Sequence, residues 1–280
     1  MAEDILFGED GLRIRKSGDY AKDKLHYVRR YMDIFSNGMK KSWKHRVYLD
    51  LMAGPGKCRV KTTGEEFPGS PLLSLEAQMN FTRQIFVEEH SELADALRRR
   101  TTGHPCQVIE GNCTATGVLN QLRDATAGDD VLGLAFVDNL GLDVPFRTLA
   151  NLIDHRAIDL LVVIQLQDIR RNVRTALTDQ TEHNRFAEFF GSPRWSEHVK
   201  DLVQNNATPS ALADALIALY FDMFRSIGHE HADQVNYAVR NSNNATQYRL
   251  AIISRHPLAV TYLGRIGAIE PDGQRPFSFE

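Results

Sequence analysis

The segment Asp50-Leu51-Met52-Ala53-Gly54-Pro55-Gly56 joins a carboxylate to a glycine-rich turn directly after the apolar run Val47-Tyr48-Leu49. Such a run reads as a buried strand, and a turn at its carboxyl end lies where α/β sheets receive ligands. Gly54 and Gly56 tolerate positive φ and leave room for a cofactor beside the backbone.

Three nucleotide-type cofactors compete for a turn of this kind. A phosphate-cradling loop needs Gly-x-x-x-x-Gly-Lys-Ser/Thr, and Gly54, Gly56, Lys57 and Cys58 do not supply it. A dinucleotide fingerprint needs a third Gly or Ala where Arg59 stands. S-adenosyl-L-methionine (SAM) fits better, because Asp50, a short spacer and Ala53-Gly54-Pro55-Gly56 match the turn that binds it in doubly wound enzymes. Three more apolar runs end in polar residues. Gln84-Ile85-Phe86-Val87 ends at Glu88, whose carboxylate suits two ribose hydroxyls. Gln107-Val108-Ile109 leads to Asn112 and Cys113, and an amide can donate to and accept from an adenine edge. The run Val131–Val137 is the most apolar and ends at Asp138, a candidate base or substrate anchor beside the reacting methyl group. Taken singly, each carboxylate could equally cap the next helix.

Basic residues allow a further reading. Arg170, Arg171 and Arg174 follow the fifth apolar strand and can engage phosphate, which admits RNA or DNA as acceptor. Arg98-Arg99-Arg100 ends a helix, where cations are favourable for dipole reasons alone. Lys24 and His26 begin the first helix, either covering a cofactor or facing solvent. His229 and His231 lack a third ligand, so no metal is expected. Net charge is −3 over 280 residues, so any nucleic-acid contact must be local. The cysteines Cys58, Cys106 and Cys113 show no CxxC pairing, which fits a reducing cytoplasm. No run is long enough to span a membrane, and no secretory h-region is expected.

Strands and helices must alternate to hold these residues. Leu25, Val28, Tyr31, Met32 and Phe35 repeat at a helical period. Helices are expected at 92–100, 114–122 and 143–153, and another opens at Ser70-Pro71 with Ser70 as cap. Residues 1–19 read as a loose start and 61–69 as a polar loop. After the strand 159–164 the chain reads as helical to about 227, most clearly over 209–227 with Thr208 as cap. Strands at 235–239 and 247–253 flank the turn Asn241-Ser242-Asn243-Asn244, and a helix over 256–267 follows. This alternation predicts an α/β fold with a doubly wound, seven-stranded Rossmann-like sheet. It has five parallel strands plus a C-terminal hairpin, and a helical insertion at 165–227.

In this order the chain resembles the three-Cys-motif partner (TcmP) family, whose fold is similar to Rossmann-type SAM-dependent methyltransferases. The resemblance rests on Tyr48–Gly56, Pro68-Gly69-Ser70-Pro71-Leu72, Phe86-Val87-Glu88 and Phe136–Leu142. Asp159-Leu160-Leu161 and Tyr248–Pro257 extend it over nearly the whole chain. It implies a methyltransferase-like domain at 46–280 beneath a helical cover at 1–45, SAM as cofactor, and a radical-SAM-like partner protein carrying the three-Cys motif. The alternative is a catalytically inactive SAM-binding or partner-binding subunit. The family commonly has Asp-Pro after the fourth strand, whereas Asn139 follows Asp138 here. Without an Asp/Asn-Pro-Pro-aromatic motif, adenine-N6 and cytosine-N4 chemistry is disfavoured.

Overall fold

The computed structural model describes residues 5–18, 20–240 and 246–266. Its strands are β1 (Ile5–Phe7), β2 (Arg13–Ser17), β3 (His45–Asp50), β4 (Lys57–Val60), β5 (Glu66–Pro68), β6 (Arg83–Glu88), β7 (Cys106–Glu110), β8 (Val131–Val137), β9 (Ile158–Gln165), β10 (His231–Arg240) and β11 (Thr246–Ser254). Its helices are α1 (Tyr20–Gly38), α2 (Ser70–Ser74), α3 (Ser91–Arg100), α4 (Thr116–Ala125), α5 (Phe146–Ile153), α6 (Leu166–Ala176), α7 (Gln180–Phe190), α8 (Lys200–Gln204), α9 (Pro209–Ser226) and α10 (Leu258–Ile266).

Seven strands form the main sheet in the order β10-β11-β9-β8-β3-β6-β7. Strands β9, β8, β3, β6 and β7 run parallel, and β11 lies antiparallel between β9 and β10. The sheet is thus the expected one, including the hairpin. The turn expected at Asn241–Asn244 and the last position of the final helix, Gly267, lie outside the described residues.

Alternation of side chains explains why the sheet is covered on both sides. Val47, Leu49, Ile85, Val87, Ala135, Val137, Leu160 and Val162 point to one core, shared with α4, α5, α6, α7 and α9. Tyr48, Phe86, Leu134, Phe136, Leu161 and Val163 point to the other, covered by α1 and α10. All seven residues of β8 are buried, as a central strand requires. Beyond β9 the insertion is helical. It packs around aromatic contacts such as the Phe189–Tyr220 stack, with centroids 5.1 Å apart. Thr208 caps α9 as expected, accepting from the Ala211 N–H.

Two expectations are corrected. Within the start expected to be loose or accessory, residues 5–7 and 13–17 form β1 and β2, and within the expected loop residues 66–68 form β5; with β4 they build a second, four-stranded sheet. Strands β1 and β2 come from before residue 45 and β4 and β5 from after it, so this sheet crosses the expected division between cover and main domain. Ser70 is not a cap either: Gly69 occupies that position and makes no side-chain bond, and Ser70 begins α2.

The second sheet is tied down by Arg100, whose side chain is only 4% exposed. Its guanidinium donates to both Asp10 oxygens at 2.8 Å, and to the carbonyls of Arg13 and Pro55 at 2.6 Å. The Arg100 bond in turn holds the Asp10 carboxyl well below the usual carboxylate range. Arg100 therefore clamps the N-terminal hairpin onto the glycine turn. Replacing Arg100 with Met should lower stability by about 1–3 kcal/mol, since it leaves two carbonyls unpaired and Asp10 with only the Leu12 N–H and Lys57. Amide exchange should accelerate in residues 13–17 and 53–56 before it does in β8; equal protection in both variants would refute the clamp.

Candidate active site

The glycine turn is held by backbone and carboxylate contacts from two strands, β6 and β8. The Leu51 N–H donates to the Phe136 carbonyl at 3.0 Å, and the Ala53 N–H to the Val87 carbonyl at 2.9 Å. The Gly54 N–H donates to Glu88 Oε2 at 2.8 Å, while the His90 N–H donates to Oε1 at 2.9 Å. Gly54 and Gly56 have φ of +65° and +86°, the region that favours glycine. A Cβ on Gly56 would stand 3.0 Å from Leu97 of α3, so the turn and that helix need the missing side chain to pack.

Asp50 lies wholly buried beneath the turn. The Tyr48 hydroxyl donates to its Oδ2 at 3.2 Å, and Oδ1 has no protein partner. Burial pushes its pKa up to about 7 and the nearby Asp138 charge adds to this, while bonds from Ser70, the Met52 N–H and Tyr48 oppose it. Asp50 joins the end of β3 to the start of α2 through Ser70, so it orients the turn from below.

Above the turn lies a cavity of about 320 Å³, within the range of small-molecule sites. It spans the carboxyl ends of β3, β8 and β9, with Ala53, Gly54, Gly56, Asp138 and Gln165 in its wall. Asp138 there pairs with Lys24 of α1 at 2.5 Å, their side chains 21% and 11% exposed. The Lys24 ammonium also lies 5.8 Å from the centroid of the Tyr248 ring, a cation–π distance. Asp138 Oδ1 is buried without a partner. Asp138 does not cap α5, whose N-cap is Pro145. The adjacent Asn139 makes the bend instead, its Oδ1 accepting from the N–H groups of Asp143 and Val144 at 3.3 Å. Those two bonds account for a polar side chain that is fully buried at this position.

The remaining expected residues stand apart from the cavity. Glu88 is buried behind the turn, and Arg15 covers that corner. The Arg15 guanidinium is 3.9 Å from Glu88 Oε2 and 3.9 Å from where a Gly54 Cβ would stand. Asn112 is exposed beyond β7, donating to Glu89 at 3.0 Å and accepting from the Thr114 N–H at 2.8 Å. Cys113 packs in the core, and burial pushes its thiol up to about 11. Arg170 and Arg171 on α6 do not line the cavity, and Arg171 is exposed. Arg98 pairs with Asp95 and Glu110. Lys24 reaches the cavity and His26 does not line it. The residues that the spacing did not single out are Arg15, Lys16, Lys61, His90 and Tyr248. The signal for the first two was a basic–apolar alternation around Ile14, which is fully buried. Among the described residues no group of three His, Cys, Asp or Glu is placed to hold a metal, and no helix is long and apolar enough to cross a membrane.

No family model and no curated protein matches the chain. Solved structures do. Protein LPL1258 from Legionella pneumophila is 11% identical, over 90% of this chain and 93% of that one, with a TM-score of 0.50. An O-methyltransferase from Bacillus cereus in complex with SAH is 9% identical over 81% and 80%, with a TM-score of 0.43. The plantazolicin methyltransferase BamL, also in complex with SAH, is 10% identical over 85% and 87%, with a TM-score of 0.42. The chain has a Rossmann-like α/β fold, with five parallel strands and a C-terminal antiparallel hairpin.

The buried Asp50 carboxyl gives stability a definite pH dependence. Between about pH 4 and pH 7 the folded state keeps a proton that the unfolded state releases, so stability falls as pH rises and levels off above 7. Asp159, also pushed to about 7 by burial, adds a slope of the same sign. Thermal melts from pH 4.5 to 8 should therefore show a shallower fall for Asp50→Asn than for the wild type. Parallel curves would mean that Asp50 does not carry its proton at neutrality.

Proposed function

We propose that the protein is a SAM-dependent methyltransferase that works with a three-Cys-motif, radical-SAM-like partner. One observation carries the reading: a positive-φ glycine backbone and a carboxylate with an unpartnered oxygen face one cavity at the carboxyl ends of parallel strands. An open glycine backbone is the surface a methionine chain can lie against, which is why SAM fits these residues. When bound, SAM supplies an electrophilic methyl carbon on a sulfonium centre.

The Ala53–Gly56 backbone holds the methionine portion, and Asp50 fixes the turn from below. Glu88 takes the ribose. Each of its oxygens accepts one N–H, and a carboxylate oxygen has a second lone pair to offer a hydroxyl. Arg15 must swing off that corner for the sugar to enter. Asn112 meets the adenine edge with Cys113 behind it, once its Glu89 contact is exchanged. Asp138 would anchor the acceptor and take the proton that the acceptor atom sheds on methylation. Lys24 must release Asp138 for this. Arg170 and Arg171 would touch only a part of the acceptor that extends outside the cavity.

A second reading, a SAM-binding subunit without catalysis, is favoured by that same Lys24–Asp138 pair, which already occupies the base. Calorimetry with S-adenosylhomocysteine (SAH), followed by a labelled-methyl assay with the purified partner and total cellular RNA, separates the two. For an enzyme, Asp138→Asn should keep SAH affinity within about twofold and cut labelling by about 10²-fold or more. SAH binding with no label in any fraction would leave the subunit reading. Absence of SAH binding would end both.

A further inference from the structure

We infer that the acceptor is the hydroxyl of an aromatic ring, with the ring set against Tyr20 and Leu140 and the oxygen between Lys24 and Asp138. The inference rests on the methyltransferase reading and extends it to a substrate class. Two independent observations meet in the cavity wall. The first is apolar. Of the five large apolar residues exposed among the described residues, two line this cavity, Tyr20 at 38% and Leu140 at 55%. Leu140 is turned outward on a loop whose other large apolar residues, Leu142 and Val144, are buried. Tyr20 is fixed in place. Its carbonyl accepts from the Tyr248 hydroxyl at 2.7 Å, and the two rings meet edge to face with centroids 6.0 Å apart.

The second observation is polar. Lys24 Nζ meets Asp138 Oδ2 at 2.5 Å, while Asp138 Oδ1 is buried without a partner. An ammonium beside an open carboxylate oxygen suits a group that both accepts and donates, and a hydroxyl does both. Spacing along the chain joins the two features. Tyr20 and Lys24 are one turn apart on α1 and share a face. Asp138 and Leu140 are two positions apart just after β8. Each segment thus carries one charged and one apolar residue, and the Lys24–Asp138 pair draws the segments together. A ring lying on Tyr20 and Leu140 would present its edge to the charged pair.

The chemistry selects a phenol over an aliphatic alcohol. A carboxylate is a weak base, so it relieves only an acidic hydroxyl of its proton, and a phenol such as the tyrosine side chain ionises at about pH 10. An ammonium next to the oxygen lowers that further. The O–H proton passes to Asp138 Oδ1 and its bonding pair stays on the oxygen. Lys24 follows the charge from Asp138 Oδ2 onto the phenolate.

The experiment is an absorbance titration of the full-length protein, with SAH present, using para-nitrophenol, whose phenolate band reports its ionisation. The probe should bind the wild type, and its ionisation midpoint should fall by about one pH unit or more. Lys24→Met keeps the stem and removes the charge, so the probe should still bind but ionise no more readily than when free. The Tyr20→Ser, Leu140→Ser double variant should bind the probe about tenfold more weakly while SAH affinity stays within about twofold. Both side chains are exposed, so this variant should fold. A pentapeptide with a central nitrotyrosine is titrated alongside. Tighter binding of the peptide assigns the hydroxyl to a protein side chain, and tighter binding of para-nitrophenol assigns it to a small compound. No binding of either probe, an unchanged midpoint in the wild type, a midpoint equally low in Lys24→Met, or equal binding by the double variant overturns the inference. If SAH fails to bind the wild type while the probe still does, the cofactor assignment falls and the aromatic site stands.

Discussion

The Glu88 carboxylate, held between two backbone N–H groups, is the constraint on which the site depends. One oxygen fixes Gly54 and the other fixes His90, so a single side chain sets the distance from the β3 turn to the start of α3. Charge-assisted bonds of this kind are short and strong, and these are almost fully removed from water. Because Asp50 holds the same turn from beneath, the backbone facing the cavity is fixed before any ligand arrives. Binding then costs little ordering of the turn, which is what a preorganised site requires. The cover is different. Arg15 and Lys24 reach the cavity on long side chains and can be displaced without moving a strand.

Both carboxylates at the strand ends also illustrate how environment divides similar groups. Asp50 is stripped of water and carries its proton near neutrality. Asp138, one strand over, has an ammonium at 2.5 Å and partial access to solvent. The Asp138 charge helps to keep the proton on Asp50, while Asp138 itself is held by Lys24.

Much of the main sheet was legible in the chain itself. Its parallel strands are continuous apolar runs, and each ends at a residue too polar to continue into the core. Parallel strands buried on both faces have no choice but to look that way. Strands of the second sheet are three to five residues long, and β2 and β4 are rich in Arg and Lys, so no periodicity of useful length exists to find. Their pairing is also non-local: β2 finds β4 across α1 and β3, joined by contacts such as the Lys61–Ser17 bond. Asp138 could be picked out because it ends the most apolar strand. Lys24 as its partner could not, since 114 positions separate them and only the packing of α1 brings them together.

The position of Asn139 bears on whether the protein is an enzyme. A proline there would stiffen the chain but could offer nothing to the backbone that follows. The Asn side chain instead accepts from two N–H groups and turns the chain sharply toward α5. The bend leaves Asp138 in the cavity wall with an oxygen unpaired. Desolvation of a carboxylate there costs stability unless something pairs with it, and Lys24 supplies that pairing. Lys24 meets one oxygen only. The other therefore remains open to a ligand in the cavity.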